Sequence, residues 1–265
     1  MSQRIEVGGG DTSTPLNLRK RVSLLLKSSA LPKPRFLDGG CGAGEYVAEL
    51  TRHGWDAHGI EYLEDKLKVA QQRMSEPWRV QKGDLQALSA PDASFDVVLL
   101  NEVLEHVPDD RLALREVARV LRPGGQLFIF SPNRWYPFES HGVFLKGTQR
   151  RLPVWTPLIP WIPLKLGNRW FSYWARNYWP GELQAMVRAA GFDVVEVGWV
   201  WQTFEGISGP QPGFIRLLKP ILRGVSNTLE RTPVLRRFGV SQFIHARKRA
   251  EITGKTVQKP PKLPM

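Results

Sequence analysis

Residues 36–46 read Phe36-Leu37-Asp38-Gly39-Gly40-Cys41-Gly42-Ala43-Gly44-Glu45-Tyr46. An apolar run ends in an acid, a glycine turn follows, and an amphipathic segment begins, which is the pattern of a strand, a tight turn and a helix. Glycines at that junction let a ligand approach the backbone closely, and the free N–H groups of the helix's first turn favour a carboxylate or phosphate. A bare βα turn needs one or two glycines; Gly39, Gly40, Gly42 and Gly44 beside Asp38 go beyond that need. The dinucleotide fingerprint G-x-G-x-x-G/A does not fit, because Glu45 stands where its third small residue belongs, and an acid there would repel a pyrophosphate.

Working outward, the chain alternates. Pro15 to Ser29 has the spacing of a helix, with Leu18, Val22, Leu25 and Leu26 on one face and basic residues on the other. Strands are expected at Arg35–Asp38, Asp56–Glu61, Arg79–Lys82, Phe95–Leu100 and Gln126–Phe130, with helices at Glu45–His53, Leu63–Met74 and Asp110–Leu121. Phe95–Leu100 is nearly continuously apolar, as a strand buried on both faces must be. After an irregular stretch, Gly181–Ala190 reads as a helix and Phe192–Trp201 as a strand; a second irregular stretch precedes a last strand at Gln242–Ala246. The rhythm predicts an α/β fold: a doubly wound, seven-stranded, mostly parallel sheet with two irregular or helical insertions. One domain is expected over 15–248, with insertions at 131–179 and 202–239, a disordered N-terminus at 1–14 and a basic disordered tail at 249–265.

The turn resembles the first motif of class I S-adenosylmethionine-dependent methyltransferases. Further likenesses follow in order: His58-Gly59-Ile60-Glu61, Gly83-Asp84-Leu85, Asn101-Glu102-Val103-Leu104-Glu105-His106-Val107, and Leu121-Arg122-Pro123-Gly124-Gly125. The resemblance is dense from Phe36 to Pro132 and loose beyond. It implies the cofactor S-adenosylmethionine, with Gly39, Gly40, Gly42, Gly44 and the nearby backbone cradling the methionine moiety and Asp38 attracting its ammonium. It also implies Glu61 on the ribose hydroxyls, Asp84 and the Leu85 backbone on the adenine edge, and Asn101 along the cofactor near the sulfonium. Glu61 and Asp84 end strands, where open α/β sheets bind ligands.

Transfer to a hydroxyl needs a base, for which His106 and His141 are the candidates. His106 can equally serve only to begin a helix. Glu102, Glu105 and His106 form an E-x-x-E-H cluster similar to the proposed metal site of the ubiquinone-pathway O-methyltransferases; capping and solvation explain it as well, so the metal is left unassigned. Enzymes that methylate exocyclic base amines carry Asn/Asp-Pro-Pro-Tyr where this chain has Leu100-Asn101-Glu102-Val103, which counts against base N-methylation.

The formal charge of +12 is unevenly held: residues 1–130 sum to −1, 131–180 to +6, 181–204 to −2 and 205–265 to +9. Six of the ten tryptophans fall in 131–180. Phe214, Leu217, Leu218, Ile221, Leu222 and Val225 follow helical spacing with Arg216, Lys219 and Arg223 off that face, a pattern of interfacial membrane segments. Pro-Trp pairs in Pro153–Trp155 and Pro160–Pro163 suit a rigid lid with aromatics at headgroup depth. The layout loosely resembles the ubiquinone-pathway O-methyltransferases. The expected activity is therefore methyl transfer, at oxygen, to a hydrophobic or lipid-like small molecule at an anionic membrane surface. A soluble enzyme acting on a small or glycosylated metabolite is the second reading. A nucleic-acid binder, with basic segments on phosphate and tryptophans stacking bases, is the third and is not favoured. The lone Cys41, the absence of a signal peptide and the lack of a ~20-residue apolar run lead to the expectation of a cytoplasmic protein, peripheral on the inner face of the membrane.

Overall fold

A computed structural model describes residues 14–139, 141–148, 150–153, 156–205 and 213–250, with backbone alone at 213–217. The tails expected to be disordered lie almost wholly outside these residues, as does Trp155. The elements are α1 (Pro15–Ser29), β1 (Arg35–Gly39), α2 (Glu45–Arg52), β2 (Asp56–Glu61), α3 (Glu64–Arg73), β3 (Val80–Lys82), β4 (Phe95–Asn101), α4 (Asp110–Val120), β5 (Leu121–Pro132), β6 (Val143–Leu145), α5 (Leu164–Gly167), β7 (Phe171–Tyr173), α6 (Pro180–Ala189), β8 (Phe192–Val200), α7 (Gly213–Arg231) and β9 (Ser241–Lys248).

Seven strands form one sheet in the order β3-β2-β1-β4-β5-β9-β8. The first five run parallel, and β9 is antiparallel to both β5 and β8. The central strands β4 and β5 carry long apolar runs because both faces of the sheet are covered there. Leu37, Val98, Leu100, Leu127 and Ile129 meet Leu114 and Val117 of α4 and Leu183 and Val187 of α6. The alternate residues Phe36, Val97, Leu99, Phe128 and Phe130 meet Val22 and Leu25 of α1 and Val47 and Leu50 of α2. Strand order reverses between β1 and β4, so a crevice opens at their carboxyl ends.

The first insertion is less irregular than its sequence suggests: β6 and β7 pair as a small antiparallel ribbon. The prolines keep the intervening segment to a 3₁₀ turn at Ile159–Trp161 and the four residues of α5. Arg134 locks this segment down, donating from Nε to the Pro160 carbonyl at 2.6 Å and from Nη2 to that of Ile162 at 2.7 Å. Asn133 joins the two insertions, its Nδ2 donating to the carbonyls of Arg237 at 2.7 Å and Gly239 at 2.8 Å. In the second insertion the helical spacing of 214–225 extends to the 19 residues of α7, which runs through Pro220. Among the described residues no helix is long and apolar enough to cross a membrane.

Candidate active site

The crevice is a cleft of about 1500 Å³ running from the glycine turn to both insertions. Its floor is the turn itself. Gly40, Gly42 and Gly44 have φ of +89°, +55° and +78°, a region open to glycine at little cost. A Cβ on Gly40 would come within 2.7 Å of the Val103 methyls, whereas one on Gly42 would meet nothing within 4 Å, because Gly42 faces the open cleft. The turn is pinned to β2: the N–H groups of Gly40 and Cys41 both donate to the Ile60 carbonyl, at 2.9 and 2.8 Å.

Asp38 ends β1 beneath this turn, 1% exposed. Neither of its carboxylate oxygens has a hydrogen-bond partner. Burial, reinforced by the nearby charges of Glu45 and Glu61, pushes its pKa well above the usual carboxylate range. An acid buried this way has a neighbourhood suited to an incoming cation. Glu61 closes β2 and is also buried, but satisfied: Oε2 accepts from the Gly42 N–H and Oε1 from the Leu63 N–H, each at 2.8 Å. Asp84 accepts from the Gln86 N–H at 2.8 Å through Oδ1, folding the chain after β3 back over the cleft.

Of the expected cofactor set, Asp38, Gly40, Gly42, Glu61, Asp84, Leu85 and Asn101 line the cleft. Gly39 and Gly44 do not. They are packing glycines, where an added Cβ would meet Leu100 Cδ2 at 2.9 Å and Met74 Cε at 2.8 Å respectively.

The sequence divides into inward apolar and outward basic faces on α1, yet Arg21 is buried. Its guanidinium donates to Asn101 Oδ1, to Glu102 Oε1 at 2.9 Å and to Ser241 Oγ at 3.1 Å, and lies 4.5 Å from the centre of the Phe130 ring. Asn17, one helical turn earlier, also lines the cleft. Glu102 has a left-handed backbone, φ 54°, and accepts from Ser241 Oγ as well. Burial opposes its charge, but Arg21, His141 and the Ser241 hydroxyl prevail and hold its carboxyl below the ordinary range. Arg21 and Ser241 carried no motif in the sequence; only the β5–β9 register and the packing of α1 on the sheet bring them here.

The E-x-x-E-H cluster is therefore divided. Glu102 turns to Arg21, while Glu105 and His106 are joined by His141 from the first insertion, their ligand atoms lying within 4.8 Å of one another. His141 Nε2 is 3.5 Å from Glu105 Oε1, and the two imidazoles meet edge to face with centroids 5.3 Å apart. Glu105 is buried with neither oxygen hydrogen-bonded, and burial followed by the Glu102 charge drives its pKa well up. Desolvation and the neighbouring His141 lower His106 to about 4, and burial lowers His141 as well. Both histidines line the cleft.

A parallel sheet of this order with a glycine-turn cleft at its switch point defines the class I methyltransferases. A family model described as "Methyltransferase domain" matches residues 37–129. The chain is 32% identical over 176 residues to the "Ubiquinone biosynthesis O-methyltransferase" of Azorhizobium caulinodans, covering 65% of this chain and 64% of that one. It is likewise 32% identical over 183 residues to the protein of that description from Hahella chejuensis, covering 67% and 70%. In fold it is similar to an S-adenosylmethionine-dependent methyltransferase of Mesorhizobium loti, with TM-score 0.54 and 20% identity over 85% of this chain and 96% of that one. The chain belongs to the class I S-adenosylmethionine-dependent methyltransferases, and S-adenosylmethionine is its cofactor.

Proposed function

We propose that the protein methylates a hydroxyl oxygen of a hydrophobic, lipid-like small molecule at the surface of an anionic membrane. The observation that carries this reading is the cleft's continuity: from the glycine turn it extends into an arm walled by Phe138, Trp201, Phe204, Leu222, Leu229 and Phe238. Its volume exceeds the roughly 300–1,000 Å³ of a pocket for one small ligand, so cofactor and acceptor fit together. The similarity to O-methyltransferases supports oxygen as the atom methylated.

S-adenosylmethionine supplies a methyl group on a sulfonium, open to in-line displacement. Asp38 would take the cofactor's ammonium, with the Gly40 and Gly42 backbones against the methionine moiety. The carboxylate oxygens of Glu61, each already accepting one backbone N–H, retain lone pairs for the ribose hydroxyls. Asp84 and the Leu85 backbone would meet the adenine edge, and Asn101, fixed by Arg21, the reacting end. The apolar arm orients the acceptor and excludes water, which is where much of the rate of a displacement arises. His106 is unprotonated across the neutral range and so can accept a hydrogen bond from the acceptor hydroxyl, with His141 and Glu105 behind it.

Incubating the protein with methyl-labelled S-adenosylmethionine and a cell extract tests the assignment. Label is expected in the organic phase; label confined to aqueous metabolites, RNA or protein overturns it.

Glu105, His106 and His141 also form a donor set with an orphaned buried carboxylate, which a divalent cation would satisfy. Held there, such an ion would polarise the acceptor oxygen. Methyl transfer is expected to fall after exhaustive chelation and to return when a divalent ion is restored; full retention removes the ion and leaves His106 to act alone.

Asp38 gives a pH signature. Its carboxyl is raised without cofactor, and an adjacent ammonium would favour ionisation. Binding below the raised pKa must therefore release a proton, and affinity must increase with pH until that pKa is passed. Calorimetric titrations in two buffers of different ionisation enthalpy are expected to give different apparent enthalpies. Equal enthalpies would place the ammonium elsewhere.

A further inference from the structure

Helix α7 is oriented against its polarity. Two of its cations turn inward, Arg223 Nε donating to the Thr203 carbonyl at 3.1 Å and Lys219 Nζ to that of Glu205 at 3.5 Å. Three apolar side chains of the helix stand exposed: Leu218 is 40% exposed, Ile221 63% and Val225 50%, and the turn after the helix adds Val234 at 68%. A helix stabilised only by packing on its own sheet would have the opposite arrangement. This face borders the acceptor arm, since Leu222, Val225, Ser226 and Leu229 of the same helix line the cleft. Across the mouth, Trp135 is 37% exposed and packs against Phe238 with ring centroids 5.5 Å apart.

The charge around the patch selects its partner. Arg231, Arg236 and Arg237 are exposed beside it. The one acid between 213 and 250 is Glu230, and it is occupied, accepting from Lys20 and from the Trp201 N–H. An apolar strip collared by arginines and flanked by tryptophan suits an anionic bilayer interface.

We infer that the outer face of α7, with the turn that follows it, is the surface by which the protein docks on an anionic bilayer, and that docking turns the mouth of the acceptor arm toward the lipid. This rests on the membrane reading above and assigns it to particular side chains. Insertion of the apolar strip supplies the salt-resistant part of binding, and the arginine collar the salt-sensitive part.

The test is sedimentation of the full chain with vesicles of phosphatidylcholine and phosphatidylglycerol, and with phosphatidylcholine alone, at low and high salt. Wild type is expected to pellet with the anionic vesicles and less with the neutral ones. Ile221→Glu combined with Val234→Glu, neither of which lines the cleft, is expected to weaken that binding roughly tenfold or more while leaving calorimetric affinity for S-adenosylhomocysteine unchanged. Three results would overturn the inference: wild type that stays in the supernatant at low salt, a double variant that binds as wild type does, or light scattering that shows a wild-type dimer which the two substitutions dissolve. The identity of the acceptor is read separately, by the phase that takes up label, so vesicle binding with label in an aqueous metabolite would leave the docking surface standing and remove only the lipid-like acceptor.

Discussion

Glu61→Ala is expected to weaken S-adenosylmethionine binding by about 100-fold or more, because two acceptor contacts to a charged carboxylate are lost together, each worth about 1.5–3 kcal/mol. The loss has a second source. Without the carboxylate, the Gly42 and Leu63 N–H groups lose their acceptor, and the turn that shapes the methionine end of the cleft keeps only its bonds to the Ile60 carbonyl as ties to β2. Glu61→Gln separates the two effects. Its amide oxygen still accepts one N–H and preserves much of the turn, but the amide nitrogen cannot accept from a ribose hydroxyl. An intermediate affinity is therefore expected for Gln, with the unfolding midpoint closer to wild type than that of Ala. Calorimetric titration decides: unchanged affinity in Glu61→Ala means that the cofactor does not reach the end of β2.

The fold was legible because its signals are local. Strands buried on both faces must be apolar at successive positions, as Val97 to Leu100 and Leu127 to Phe130 are, and glycine turns and helix starts separate them. That Asp38, Glu61, Asp84 and Asn101 line one cleft was legible for a related reason: all stand at or just beyond the carboxyl ends of parallel strands, where the topology alone brings them together. The remainder of the cleft was not. Arg21 stands among basic residues on a helix whose register leaves its neighbours outside, and nothing in that spacing distinguishes a buried guanidinium from a solvated one. His141 was a candidate without a place, because a loop between short strands has no periodicity; it meets Glu105 and His106 through the β6–β7 ribbon. The E-x-x-E-H spacing suggested a joint role for two carboxylates that the chain separates, since a left-handed backbone at Glu102 directs that residue toward Arg21 and Ser241. The charge counts do not show which way the cations point, for Lys219 and Arg223 are half-buried and donate to backbone carbonyls.

Arg21→Met is the second substitution with a large expected effect, and its primary readout is stability. The pair it breaks is buried, with side chains 3% exposed for Arg21 and 11% for Glu102. Removing one member leaves the other as an unpaired buried charge, which costs about 3–5 kcal/mol. Met retains most of the apolar contact with Phe130 but none of the three hydrogen-bonded partners. The pH dependence fixes the cause. In wild type the Glu102 carboxyl is held below its unfolded value, so its contribution is present above the ordinary carboxylate range and fades as pH falls through the folded value. Burial is already the largest single influence on Glu102, and without Arg21 its chief opponent is gone, so that carboxyl rises and the variant should lose stability as pH rises through the carboxylate range. Arg21→Met combined with Glu102→Gln removes both charges and is expected to recover more than half of the loss at neutral pH. Denaturant unfolding of wild type, Arg21→Met, Glu102→Gln and the double variant at neutral and mildly acid pH gives the coupling directly. If the single variant costs less than about 1 kcal/mol, as an exposed pair would, or if the double variant recovers nothing, then α1 covers the cleft by apolar packing alone, and Asn101 and Glu102 owe their positions to β4.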